Sequence, residues 1–106
     1  MNKEKISESE IRSKHVGHFL KSAREKSGLT QHDVARSLHY STPQFVSNWE
    51  RGISLLPLDV LPKLSEVLQM SSKQLLDSLH RYQDELLKLR KRELSNIFKR
   101  YNRKEA

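Results

Sequence analysis

Between Thr30 and Gly52 the chain reads TQHDVARSLHYSTPQFVSNWERG, two short helical patterns joined by a tight connection. Thr30 is placed to cap the first of them, with Val34, Ala35 and Leu38 on one face. The second starts near Thr42, with Pro43 in its first turn, where a missing N–H costs nothing. Phe45, Val46 and Trp49 are its apolar positions, and Gly52 ends it.

The flanking residues continue in the same style. Val16, Phe19, Leu20 and Ala23 share a face at helical spacing over about residues 14–27, and Gly28 stands at the C-terminal stop. Leu61, Leu64 and Leu68 mark a fourth helix over Leu58 to Leu68, its regular part starting near residue 60 because Pro62 sits early in it. Ser71 or Ser72 caps a fifth, with Leu75, Leu76 and Leu79. No glycine or proline follows from Ser72 to Tyr101, so the pattern predicts one long C-terminal helix. Residues 1–13 have one isolated apolar pair, Ile6 and Ile11, among mostly charges and serines, which suggests a flexible arm. The reading is an all-α protein in three parts: an arm at 1–13, a helical domain at 14–79 and a basic helical extension at 80–106.

The conjunction of Gly28-Leu29-Thr30-Gln31, Val34-Ala35, Leu38 and Trp49-Glu50-Arg51-Gly52 resembles the Cro/C1-type helix-turn-helix family. The resemblance covers residues 14–79 and implies a five-helix, lambda-repressor-like fold that binds double-stranded DNA. It further implies that Ala35 packs beneath the third helix and that this helix enters the major groove. His39 stands where the family usually has glycine in a left-handed turn, and histidine tolerates that conformation better than most residues. The connection Leu38 to Pro43 is one residue longer than usual, as in a subset with the shape G-Y-S-S-P-Q-F-I-S-N-W-E-R-G.

Base contacts are then expected from Gln44 and Asn48, one turn apart on the side away from Val46 and Trp49. Both carry amides, which suit the N6/N7 edge of adenine. Thr42, Ser47 and Phe45 flank them, Phe45 standing between a core role and a thymine-methyl contact. Helix N-termini and short polar chains should supply phosphate contacts. The resemblance assigns these to Gln31, which would also brace the recognition glutamine, and to Arg51, while Ser41 presents a hydroxyl and an amide nearby. It makes Arg24 and Glu50 a partly buried ion pair that fixes geometry.

Charge separates the extension from the domain. The net charge is +7, yet residues 80–106 alone carry nine Lys/Arg against four Asp/Glu, leaving +5 there. Such a balance favours polyanions without choosing among them. Leu75, Leu79, Tyr82, Leu86 and Leu89 step by 4, 3, 4 and 3, a coiled-coil seam. Leu79, Tyr82, Leu86 and Leu89 are therefore expected to join two copies in a homodimer. The alternatives are a helix folded back on its own domain or one that docks a protein partner.

Other chemistry finds no support. The chain has no cysteine, which excludes disulfides and thiolate metal sites. His15 and His18 lie three apart with no third ligand fixed nearby, and no phosphate loop or nucleophile elbow occurs. No cofactor, metal or catalytic residue is expected, and an enzyme is not. The absence of a long apolar run or signal peptide suggests a cytoplasmic, nucleoid-associated protein of bacterial or phage type, not bound to membranes. The expectation is a sequence-specific homodimeric regulator, most simply a repressor. An antitoxin or adaptor, and an architectural DNA-coating protein, are the alternatives.

Overall fold

Ser7 opens the first helix with a capping box: its Oγ accepts from the Glu10 N–H, and the Glu10 carboxylate reaches back to the Ser7 backbone. The computed structural model describes residues 6–105, and no strand occurs among them. Helix α1 (Glu8–Arg12) runs through a π-helical turn at Ser13–Gly17 into α2 (His18–Lys26). Then come α3 (Gln31–Ser37), α4 (Gln44–Glu50), a 3₁₀ turn (Leu58–Val60), α5 (Leu61–Val67) and α6 (Ser72–Glu105). Counting α1 through α2 as one rod gives five helices, the last of them long.

The local signals act as their chemistry requires. Thr30 and Asp33 form a second capping box at the start of α3, and Ser71 pairs in the same way with Gln74 ahead of α6. Gly28 and Gly52 take φ of 72° and 75° at the ends of α2 and α4. His39 takes φ 65° in the turn after α3, and Gln69 φ 54° after α5. Pro62 lies in the first turn of α5, behind the 3₁₀ turn that delays the helix.

The core gathers one face from every helix. Val16, Leu20, Val34, Ala35, Val46, Trp49, Leu64, Leu68 and Leu75 are buried together, with Trp49 and Leu64 nearly inaccessible. At roughly 1.5–3 kcal/mol per buried aliphatic or aromatic side chain, these residues supply the main stabilisation of the domain.

Two expectations need correction. Within the described residues the N-terminal segment is not a flexible arm. Residues 8–13 are helical, and Ile11 and Arg12 are buried; at this end residues 1–5 lie outside the described range. The domain also does not close at residue 79. α6 runs through that point unbroken, Tyr82 is buried at 4%, and Leu86 and Leu89 pack on the core. The cause is shared, because α1 supplies the surface that covers this part of α6.

Candidate nucleic-acid interface

α4 is seven residues long and buries only Val46, Trp49 and Glu50. Its inner face is drawn close to the rod by a glycine. A Cβ on Gly17 would fall 2.2 Å from the Glu50 carbonyl oxygen and 3.2 Å from that of Trp49, so no other residue permits this approach. The π turn holds Gly17 there, and α3 flanks α4 on another side. Tyr40, from the connection between α3 and α4, lays its ring 4.9 Å from Phe45 and 5.8 Å from Trp49. Phe45 consequently has one face covered and remains 52% exposed.

The end of α4 is fixed by charge. Arg24 clasps Glu50 with two bonds, Nε to Oε2 at 2.6 Å and Nη2 to Oε1 at 3.0 Å. Its Nη1 also donates to the Leu29 carbonyl at 2.9 Å. The pair is largely out of water, with 12% and 4% side-chain exposure. Glu50 holds the Arg24 guanidinium even more firmly protonated than usual. Gln31 joins them, its Nε2 donating to Glu50 Oε1 at 3.0 Å. In the protein alone the Gln31 amide is thus bonded to Glu50, where the resemblance implied a brace to Gln44. It is held by the carboxylate that ends α4.

The outer face carries a second chain of bonds. Gln44 Nε2 donates to Asn48 Oδ1 at 2.8 Å, and Arg51 Nη2 donates to the same oxygen at 3.1 Å. Thr42 Oγ1 accepts from the Gln44 N–H at 3.2 Å, closing the open start of the helix. Ser41, Thr42, Gln44 and Arg51 are exposed, while Ser47 and Asn48 are half-buried. Three contiguous polar side chains thus run along an otherwise open helix, on the side opposite Val46 and Trp49. A model of the helix-turn-helix family matches residues 20–75, more than half of the chain. The protein belongs to the Cro/C1-type helix-turn-helix family. Among curated proteins, none matches the chain.

As a helix-turn-helix protein it is a DNA-binding regulator, and α3 and α4 are its paired helices. Among the described residues no group of His, Cys, Asp or Glu could hold a metal, and no helix is long and apolar enough to cross a membrane.

The seam on α6 has a different use from the one expected. Leu79, Tyr82, Leu86 and Leu89 pack against the protein's own core, which favours the folded-back alternative over a dimer joined by these side chains. The Tyr82 hydroxyl donates to Glu8 Oε2 at 3.1 Å and accepts from Arg12 Nε at 3.3 Å. Glu8 in turn binds Arg12 Nη2 at 2.7 Å and Arg90 Nη2 at 2.6 Å. The Arg90 bond first, then Tyr82 and Arg12, holds the Glu8 carboxyl below its ordinary pKa.

Sequence reasoning missed Arg12. This 9% exposed cation donates to the Gly52 carbonyl at 2.8 Å and to that of Ile53 at 3.3 Å. It also missed Gly17, and the buried Ser78, whose Oγ donates to the His15 carbonyl. None of them belongs to a local pattern. A buried arginine beside Ile11 looks, on the string alone, like any charged residue in a tail.

Proposed function

We propose that this protein is a sequence-specific transcriptional regulator that reads double-stranded DNA through the outer face of α4 and acts as a repressor by occupying a promoter. The observation that carries the reading is the Gln44–Asn48–Arg51 chain, an ordered set of donors and acceptors on the face of α4 turned away from the core. Thr42, Ser47 and the open edge of Phe45 border that set and complete the base-facing surface. Ser41 and Arg51 lie at its two ends, where phosphates would run, and Gln31 adds a half-buried amide at the start of α3. Arg24 and Glu50 set the pose of α4 without touching bases. Such a protein works where the chromosome is, in the cytoplasm of a bacterium or a phage-infected cell.

Selection of bound sequences from a random duplex pool tests this directly. An enriched, roughly palindromic site is expected. Gln44→Ala should then lose about 1–3 kcal/mol at that site while nonspecific binding holds. Equal loss on specific and nonspecific duplexes would remove Gln44 from the reading role.

Pairing of two copies, in this proposal, uses the outer part of α6. Leu94, Ile97 and Phe98 are 49–62% exposed there, beyond the portion that packs on the core. The same residues, flanked by Lys88, Lys91, Arg92, Lys99 and Arg100, also suit a protein partner, as in an antitoxin or adaptor. Sedimentation of the free protein separates the two readings, a dimer supporting the first and a monomer the second.

A further inference from the structure

The bonds on α4 determine more than the presence of polar groups: they determine which way each amide faces. An arginine side chain can only donate hydrogen bonds. The Asn48 atom 3.1 Å from Arg51 Nη2 must therefore be oxygen, and the Gln44 atom 2.8 Å from that oxygen must be its NH₂ group. Both lone pairs of Asn48 Oδ1 are then engaged, and Asn48 is left with its two N–H donors and no free acceptor. Gln44 keeps its carbonyl oxygen and one N–H.

These two residues consequently present different patterns of donors and acceptors to a base edge. Gln44 retains one acceptor and one donor, the pair that matches adenine N6 and N7. Asn48 would need a free oxygen to pair with adenine N6, and it has none. Its two donors match an edge of two acceptors, which in the major groove is guanine O6 and N7. We propose that Arg51 locks the amide of Asn48 so that Asn48 reads guanine, beside an adenine read by Gln44. This rests on α4 being the base-reading helix. It assigns Arg51 a positioning role in specificity, while its remaining N–H groups stay available for phosphate.

The test combines sequence selection with one isosteric exchange. In Asn48→Asp one carboxylate oxygen keeps both internal bonds, and the other offers an acceptor where a donor stood. Selection is run in parallel with the wild type, Asn48→Ala, Asn48→Asp and Arg51→Met, each first checked for an unchanged unfolding midpoint. Asn48→Ala identifies the base pair concerned, as the one whose preference relaxes. At that pair the wild type should favour guanine over adenine about tenfold in competition on four duplexes differing only there. Asn48→Asp should shift the preference to cytosine, whose N4 amino group donates. Arg51→Met should let the Asn48 amide turn and admit adenine alongside guanine.

If the wild type favours adenine at that pair, or Asn48→Asp retains guanine, the assignment is overturned. If Arg51→Met keeps strict guanine preference, the lock is overturned. A wild type that enriches no sequence at all sinks the base-reading proposal itself, which is a distinguishable result.

Discussion

Arg12 Nη1 lies 2.8 Å from the Gly52 carbonyl oxygen, tying the end of α1 to the residue that terminates α4. A helix C-terminus carries a partial negative charge, and a buried cation there satisfies acceptors that water cannot reach. Through the same side chain, Tyr82 and Glu8 are joined to that point. The end of α4, the N-terminal helix and α6 therefore share one polar node.

Removing the node's centre should be costly. Arg12→Met leaves the Gly52 carbonyl and the Tyr82 hydroxyl without their charged partner, and about 2–3 kcal/mol of stability should be lost. Urea unfolding measures it; a loss near zero would mean the node is incidental to the fold.

Gly17 and Gly28 should respond differently to the same substitution. Gly17→Ala forces a methyl into the Glu50 backbone and should cost about 3 kcal/mol, the upper end for overpacking. Gly28→Ala meets nothing within 4 Å and is penalised only by its φ of +72°, about 1 kcal/mol. Thermal unfolding of the two variants side by side checks the ranking.

The Arg24–Glu50 pair should behave as a buried pair does. Glu50→Ala strands the Arg24 guanidinium and releases Gln31, and should cost about 3–5 kcal/mol. The double variant Arg24→Met with Glu50→Leu should recover much of that loss, because two apolar side chains need no partner. Sequence preference, measured on protein that remains folded, should be unchanged in the double variant. A changed preference would make the pair part of the reading surface.

Acid should loosen the node. The folded pKa of Glu8 is lowered, so its contribution is full above the ordinary carboxylate value of 4.5 and is lost as pH falls from there through the folded pKa. Asp33, held by the Thr30 N–H, and Asp77, held by Lys73, titrate with the same sign. Glu8→Gln should flatten the acid limb of stability against pH without abolishing it. An identical acid limb in the variant would show that Glu8 is not coupled to folding.

The outer part of α6 should be dispensable for folding. Residues 91–103 are all exposed, so ending the chain after Leu94 should leave the urea midpoint nearly unchanged. Pairing of copies should disappear. The salt dependence of DNA binding should become shallower, by about 0.9 in logarithmic slope for every phosphate that the shortened chain no longer neutralises. A midpoint that drops sharply would place this segment in the fold.

What could be read from the string follows the range of the interaction. Thr30 with Asp33, Ser71 with Gln74, and the turns at Gly28, His39 and Gly52 are settled within a few residues, and their chemistry is visible there. Val34, Ala35, Val46 and Trp49 show themselves as core by period. Arg12 and Gly17 do not, because their partners are Gly52, Tyr82 and Glu50, 33 to 70 positions away. The step of Leu79, Tyr82, Leu86 and Leu89 is visible as a seam. Periodicity says that a face is covered, but not by what, and here the cover is the chain's own first helix.

The π turn at Ser13–Gly17 amounts to a phase correction. An α-helix advances about 100° per residue, and a π turn holds one residue more than the regular helix would over the same rise. Deleting a single residue from this turn would let the rod run as an unbroken α-helix. Everything before it would then swing by about 100°, carrying Arg12 off Gly52 and Ile11 out of the core. A rod without that extra residue would therefore leave α6 uncovered or meet it with a different face. The length of this turn thus sets which face of the first rod is turned toward α6.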